Sequence, residues 1–182
     1  QERKCDSVAP GIVVSIVVPF FNESQTLETL VNRVVENPFS KEIILVDDGS
    51  TDDSLAIAQR LADKHTACVN GFANRLVVKV HETNIGKGAA LKTGLLSVSG
   101  DIIVLQDADL EYHPEEILQL IQPIINNQAD VVYGSRFIND GSDKNRKHPS
   151  GYLSNYIANQ LITRFSNLLT GLKLTDIETG YK

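Results

Sequence analysis

The 182-residue chain predicts an α/β domain, a mainly parallel sheet flanked by helices. Two observations carry that expectation. Strand-like and helix-like segments alternate along the chain, and the strand-like ones are short, near-continuous Val/Ile runs. Such runs suit strands buried on both faces of a parallel sheet, whereas half-exposed antiparallel strands alternate apolar with polar residues.

The elements follow in order. "IVVSIVVPF", Ile12 to Phe20, is β-branched and short and reads as a buried first strand. Asn22 or Ser24 can cap a helix through "TLETLVNRVVEN", whose leucines and valines recur at three- and four-residue spacing. "EIILVDD", Glu42 to Asp48, is the second strand. The next helix, "STDDSLAIAQRLADKH", opens on hydroxyls and acids and places Leu55, Ala58, Leu61 and Ala62 on one face. "RLVVKVH", Arg75 to His81, is the third strand, "GKGAALKTGLLSVS" a third helix and "DIIVLQD" the fourth strand. "PEEILQLIQPII" starts with Pro114 and two glutamates, a favourable first turn. "ADVVYGS", Ala129 to Ser135, is expected as a fifth strand.

Beyond Arg136 the pattern changes. Residues 139–151 are polar, rich in Gly and basic side chains, and are expected to form a mobile loop. Helical periodicity resumes through Leu153, Ile157, Leu161, Phe165 and Leu168, which predicts a helix docked on the domain by its apolar side; a membrane-surface helix is the alternative. The whole chain, 1–182, is expected to be one domain.

Composition narrows the function. A net charge of −6 argues against a nucleic-acid partner, which calls for a basic surface. The longest apolar run, Ile12 to Phe21, is broken by Ser15 and Pro19 and falls short of the roughly 20 residues a bilayer span needs. Cys5 and Cys68 follow no metal or redox spacing, which favours a reducing, cytoplasmic setting. The chain starts at Gln1, has no Met and shows no signal-peptide pattern, so a trimmed chain is expected.

In open parallel sheets, ligands bind outside the carboxyl ends of the strands. There the chain places Asn22 and Glu23, then Asp47 and Asp48, then Asn84, Gly86, Lys87 and Gly88, then Asp107, Asp109 and Glu111, and finally Arg136. "GKGAAL" lacks the third glycine of a dinucleotide fingerprint and the Gly-Lys-Ser/Thr of a Walker loop. "DDGSTD" also suits an Asp-Gly turn with a helix cap, and a lone Arg136 or Glu23 suits a surface charge or a helix start.

"DAD" carries more information. A turn directly after the strand lets the carboxylates of Asp107 and Asp109 converge. Neighbouring carboxylates repel unless they share a cation. A hard divalent ion, Mg²⁺ or Mn²⁺, resolves that repulsion and bridges substrate phosphates; the alternative is a solvated acidic turn before Pro114.

"VPFFNE", "ILVDDGSTD", "NIGKGAAL", "DADLEYHPEE" and "GSRF", in this order, resemble the inverting glycosyltransferases of family 2, which have the GT-A fold. The likeness is nearest to the dolichol-phosphate and other polyprenyl-phosphate mannose or glucose synthases. It runs from about Ser15 to the last residue and includes "LSNLLTGLKLTDIETGYK", similar to an acceptor-side segment. The resemblance implies a nucleotide-diphosphate sugar donor, GDP- or UDP-linked, and an acceptor that is a polyprenyl (dolichyl or undecaprenyl) phosphate or a glycan hydroxyl. It implies peripheral association with the cytoplasmic face of a membrane.

It also implies residue roles. Pro19, Phe21 and Glu23, with Asp47 or Asp48, line the nucleoside pocket; Gly86, Lys87 and Gly88 lie beside the nucleotide; Asp107 and Ala108 lie near the ribose or sugar. Asp109 holds the metal on the diphosphate, with Glu111 as a further ligand, and Arg136 stands near the phosphates. Asp176 and Glu178 fall in the acceptor motif, as bases for a hydroxyl acceptor. The basic stretch Lys144, Arg146, Lys147 and His148 suits a lipid phosphate. The chain ends soon after "DIETG", so truncation on the acceptor side is expected.

Two other classes compete. A haloacid-dehalogenase-like phosphatase also uses Asp-x-Asp, but on its first strand and followed by Thr or Val, whereas here Leu110 follows a motif on the fourth. A catalytically silent nucleotide-binding module would keep the donor residues alone.

Overall fold

The computed structural model describes residues 11–66, 68–69, 72–135 and 153–177. Strands β1 (Val13–Phe20), β2 (Ser40–Asp47), β3 (Cys68–Val69), β4 (Phe72–Val80) and β5 (Ile102–Leu105) form one sheet in the order β3-β4-β2-β1-β5. β4, β2, β1 and β5 run parallel, and β3 pairs antiparallel with the outer edge of β4. Helices α1 (Leu27–Val35), α2 (Ser54–His65), α3 (Lys87–Leu95), α4 (Ile117–Ile125) and α5 (Leu153–Thr170) complete the described elements, with a 3-10 turn at Pro114–Glu116. The α/β fold expected from the alternating segments is the fold observed.

The central strands β1 and β2 are buried on both faces because both are covered. Val14, Ile16, Val18 and Phe20 of β1, with Ile43 and Leu45 of β2, pack under α1, α2 and α4 through Leu30, Val34, Leu61, Ile117 and Ile121. The intervening residues Val17, Ile44 and Val46 point the other way, against Ala90 and Leu91 of α3. α3 lies so close that a Cβ on Gly94 would collide with Val17. The chain leaves β1 to one side for β2 and later returns to its other side as β5. That reversal opens a crevice at the carboxyl ends of the strands.

At the opposite, amino end of the sheet, a buried carboxylate ties four segments together. Glu42 accepts hydrogen bonds from Ser15 Oγ (2.8 Å), from the N–H and hydroxyl of Ser99 and from Arg75 Nη1 (2.8 Å). Burial alone would raise its pKa; the Ser99 N–H, the two serine hydroxyls and Arg75 outweigh that and hold it below the usual glutamate value.

Three expectations need correction. Residues 129–135 belong to no strand: β5, only four residues long, pairs with β1 alone, and Val131 is 66% exposed where an inserted strand would be buried. Asn22 and Ser24 do not cap α1, whose N-cap is Thr26; Asn22 has φ +56 and turns its side chain toward the next loop instead.

The third correction concerns α5, whose apolar side does not face inward: Leu161, Phe165 and Leu168 are 61%, 64% and 80% exposed. Its polar stripe is the buried one. Asn159 Nδ2 donates to Asp176 Oδ1 (2.9 Å), Thr163 Oγ1 accepts from the Ile177 N–H, and Asn167 bonds both backbone groups of Leu174. The returning segment brings backbone groups and a carboxylate against the helix, and the Asn/Thr stripe supplies hydrogen bonds to them. The side chains of Leu153 and Ile157 lie outside the described residues.

Candidate active site

The crevice at the carboxyl ends holds a cavity of about 300 Å³ lined by residues from all four parallel strand ends. Pro19, Phe20, Phe21 and Glu23 come from the exit of β1, and Asp48 from that of β2. Asn84, Lys87 and Ala90 follow β4, and Asp107, Ala108 and Asp109 follow β5. The combination is an apolar back wall with carboxylates and one ammonium at the rim, as a small-molecule site requires.

The first two loops are zipped side by side. The Asn22 N–H donates to Ser50 Oγ, the Thr51 N–H to Asn22 Oδ1, the Glu23 N–H to Ser54 Oγ and the Ser24 N–H to Asp52 Oδ2. Glu23 Oε2 accepts from the Thr26 hydroxyl at 2.6 Å. Asp47 is turned away, almost fully buried, with Oδ1 accepting from the Ser50 N–H.

Asp48 does otherwise. Its Oδ1 accepts from His81 Nδ1 (2.7 Å) and the Ile85 N–H, and its Oδ2 from the Gly86 N–H (2.8 Å). Burial would raise its pKa, but the His81 ring and the two N–H groups overcome this and keep it ionised below the usual aspartate value. Gly49 lets the loops meet: its φ is +75°, and a Cβ there would stand 2.6 Å from Asn84 N and from Thr83 C. No other residue satisfies both conditions.

The "DAD" turn begins just beyond β5. Leu110 takes φ +63° and packs its side chain on the main core. Asp109 Oδ1 closes the turn on the Glu111 N–H at 3.0 Å. A non-glycine residue in this conformation costs about 1–2 kcal/mol, offset here by core packing. Asp107 and Asp109 thereby both reach the cavity, and Lys87 Nζ stands 2.6 Å from Asp107 Oδ1.

Among the described residues no three His, Cys, Asp or Glu side chains form a metal cage. Two carboxylate groups at the cavity rim nevertheless fit Mg²⁺ or Mn²⁺, which commonly take one or two protein carboxylates and complete their shell with substrate phosphates.

A profile of the glycosyl transferase family 2 matches residues 15–180. The chain belongs to glycosyl transferase family 2. The Methanococcus voltae UDP-N-acetylglucosamine–dolichyl-phosphate N-acetylglucosaminyltransferase is 31% identical to this family 2 domain over 93% of its length and 68% of that protein's. The dodecaprenyl-phosphate galacturonate synthase of Rhizobium johnstonii is 35% identical over 99% of the chain, which spans 50% of that relative. The crystal structure of residues 1–349 of S. aureus TarS superposes with a TM-score of 0.52 at 26% identity, over 64% of this chain and 33% of that one.

Of the residues expected in the site, the family 2 domain brings Pro19, Phe21, Glu23, Asp48, Lys87, Asp107, Ala108 and Asp109 to one cavity. Asp47, Gly86 and Gly88 do not line it. Glu111 lies on the turn beside it, and Asp176 is 1% exposed in the α5 polar cluster. Arg136, Glu178, the 139–151 loop and the basic stretch 144–148 lie outside the described residues. Sequence reasoning missed Phe20 and Ala90 in the wall, whose apolar character signalled only core. It also missed His81, the last residue of "RLVVKVH", which carried no signal of its own.

Proposed function

We propose that this domain transfers a sugar, with inversion, from a GDP- or UDP-sugar to a polyprenyl phosphate. The observation that carries the reading is the cavity itself: Glu23 and Asp48 beside an apolar wall, Lys87 facing Asp107, and Asp109 at the rim. Acceptors named for the relatives, dolichyl and dodecaprenyl phosphate, support the lipid acceptor.

The nucleoside lies against Pro19 and Phe21, with Glu23 or Asp48 accepting from base N–H or ribose hydroxyl groups. Lys87 offers its ammonium to the diphosphate, releasing Asp107 toward the ribose or sugar. Asp109 holds the divalent ion, with Asp107 and Glu111 as neighbouring carboxylates. Bound there, Mg²⁺ or Mn²⁺ supplies positive charge to the diphosphate as it departs. Arg136 adds positive charge to the diphosphate. An acceptor phosphate oxygen attacks the anomeric carbon from the face opposite the diphosphate; the new C–O bond forms as the old one breaks, and the nucleoside diphosphate leaves. A phosphate acceptor is already anionic and needs no base.

A glycan hydroxyl would need Asp176 or Glu178 to take its proton. Asp176 is enclosed and bonded to Asn159, which favours the phosphate acceptor. Among the described residues no helix is long and apolar enough to cross a membrane. The proposed lipid acceptor places the domain in peripheral contact with a bilayer, at the cytoplasmic face where nucleotide sugars are available, with the basic stretch Lys144–His148 drawn to the phosphate plane.

The test is transfer of labelled sugar from GDP-mannose or UDP-glucose to polyprenyl phosphate with Mn²⁺, read as label extracted with the lipid. Label recovered in a saccharide instead would transfer the reading to the hydroxyl acceptor. Nucleotide binding without any transfer would leave a silent binding module.

A further inference from the structure

His81 sits between two loops of the cavity without lining it. Its Nδ1 donates to Asp48 Oδ1 at 2.7 Å, and its Nε2 is 2.9 Å from the hydroxyl of Thr93 on α3. The ring is nearly buried, with a side-chain exposure of 12%. Its backbone N–H donates separately to Asp47 O, so the strand pairing does not depend on the ring.

The Asp48 carboxylate that accepts from His81 also accepts the N–H groups of Ile85 and Gly86, the last two residues before α3. Directly before and after these anchors stand Asn84 and Lys87, both in the cavity wall. The ring therefore holds one carboxylate that holds the loop, and holds through Thr93 the helix into which the loop runs. Gly49 permits this seating, since any side chain there would push Thr83 and Asn84 away.

We infer that His81 is a positioning residue for the donor pocket: by clipping Asp48 to Thr93 it fixes the 81–87 loop so that Asn84 and Lys87 face the bound nucleotide diphosphate. The inference rests on the proposed donor site, which it deepens. It also explains why Asp48 differs from Asp47 next to it: one carboxylate closes its own turn on Ser50, and the other fastens a neighbouring loop.

The test compares His81→Ala with His81→Asn, whose amide nitrogen takes the place of Nδ1, and with Thr93→Val. Hydrogen exchange reads the loop without any nucleotide. In His81→Ala the amides of Ile85 and Gly86 should exchange about tenfold faster, and in His81→Asn they should remain near the unmutated rate. Titration with GDP and UDP in Mn²⁺, below the melting temperature of every variant, reads the pocket. His81→Ala should bind about tenfold more weakly, His81→Asn within about threefold of the unmutated chain, and Thr93→Val between the two. Unchanged exchange at Ile85 and Gly86 in a folded His81→Ala overturns the inference. So does an affinity within twofold of the unmutated chain, or an asparagine variant as impaired as the alanine one. Failure of the unmutated chain to bind either nucleotide counts against the donor reading, and the exchange rates then decide the His81 clip.

Discussion

Lys87 Nζ lies 2.6 Å from Asp107 Oδ1, joining the start of α3 to the turn after β5 across the rim of the cavity. The lysine is largely exposed, so the pair contributes little to stability. Its value is positional: an ammonium is held at the cavity rim, where the proposed diphosphate would lie.

Replacing that ammonium tests the arrangement. Lys87→Met should weaken GDP or UDP binding by about tenfold, consistent with loss of one charge-assisted contact, and should leave the melting temperature nearly unchanged. Calorimetry and thermal unfolding on the same variant check both halves.

Asp109→Asn should remove the metal-dependent part of donor affinity without disturbing the fold, because an amide oxygen can still accept the Glu111 N–H that closes the turn. Glu111→Gln should weaken metal-dependent affinity less than Asp109→Asn does. Titrations of each variant with and without Mn²⁺ rank the two positions.

Gly49→Ala should destabilise the domain by about 2 kcal/mol or more, since it combines a left-handed backbone with a Cβ 2.6 Å from Asn84 N. Denaturant unfolding reads the loss. Donor binding should fall as well, because the displaced residues belong to the loop that carries Lys87.

Glu42 predicts an acid-side loss of stability. Its pKa is lower in the folded chain than in the unfolded one, so the unfolded state binds the proton more readily. The stability it contributes is complete above the ordinary glutamate range and is lost as pH falls through that range to the lower folded value. Glu42→Gln should cost about 1–3 kcal/mol at neutral pH and flatten the acid limb, measured as unfolding free energy against pH.

Much of this was legible in the chain because parallel strands leave a distinctive apolar pattern, and because such sheets place function at predictable ends. The Val/Ile runs located β1, β2, β4 and β5, and the polar residues after them supplied the cavity rim. Three features were not legible, each for a physical reason. The β-branched run near Val131 has strand character, but a strand also needs a neighbour's free edge, which composition does not show. The leucines of α5 describe an apolar stripe without saying which side meets the domain; the decision belongs to Asn159 and Thr163, whose partners lie 14 to 17 residues farther on. His81 looks like any strand-end histidine until Asp48 and Thr93 are seen on either side of its ring.

The central claim, a metal-assisted nucleotide-diphosphate pocket, is tested most directly by titrating the unmutated chain with GDP and with UDP, each with and without Mn²⁺. The account predicts that one of the two nucleotides binds, at least about tenfold more tightly with the ion present, and that Asp109→Asn abolishes the difference. Absence of binding by both nucleotides, or an affinity indifferent to Mn²⁺, would contradict it.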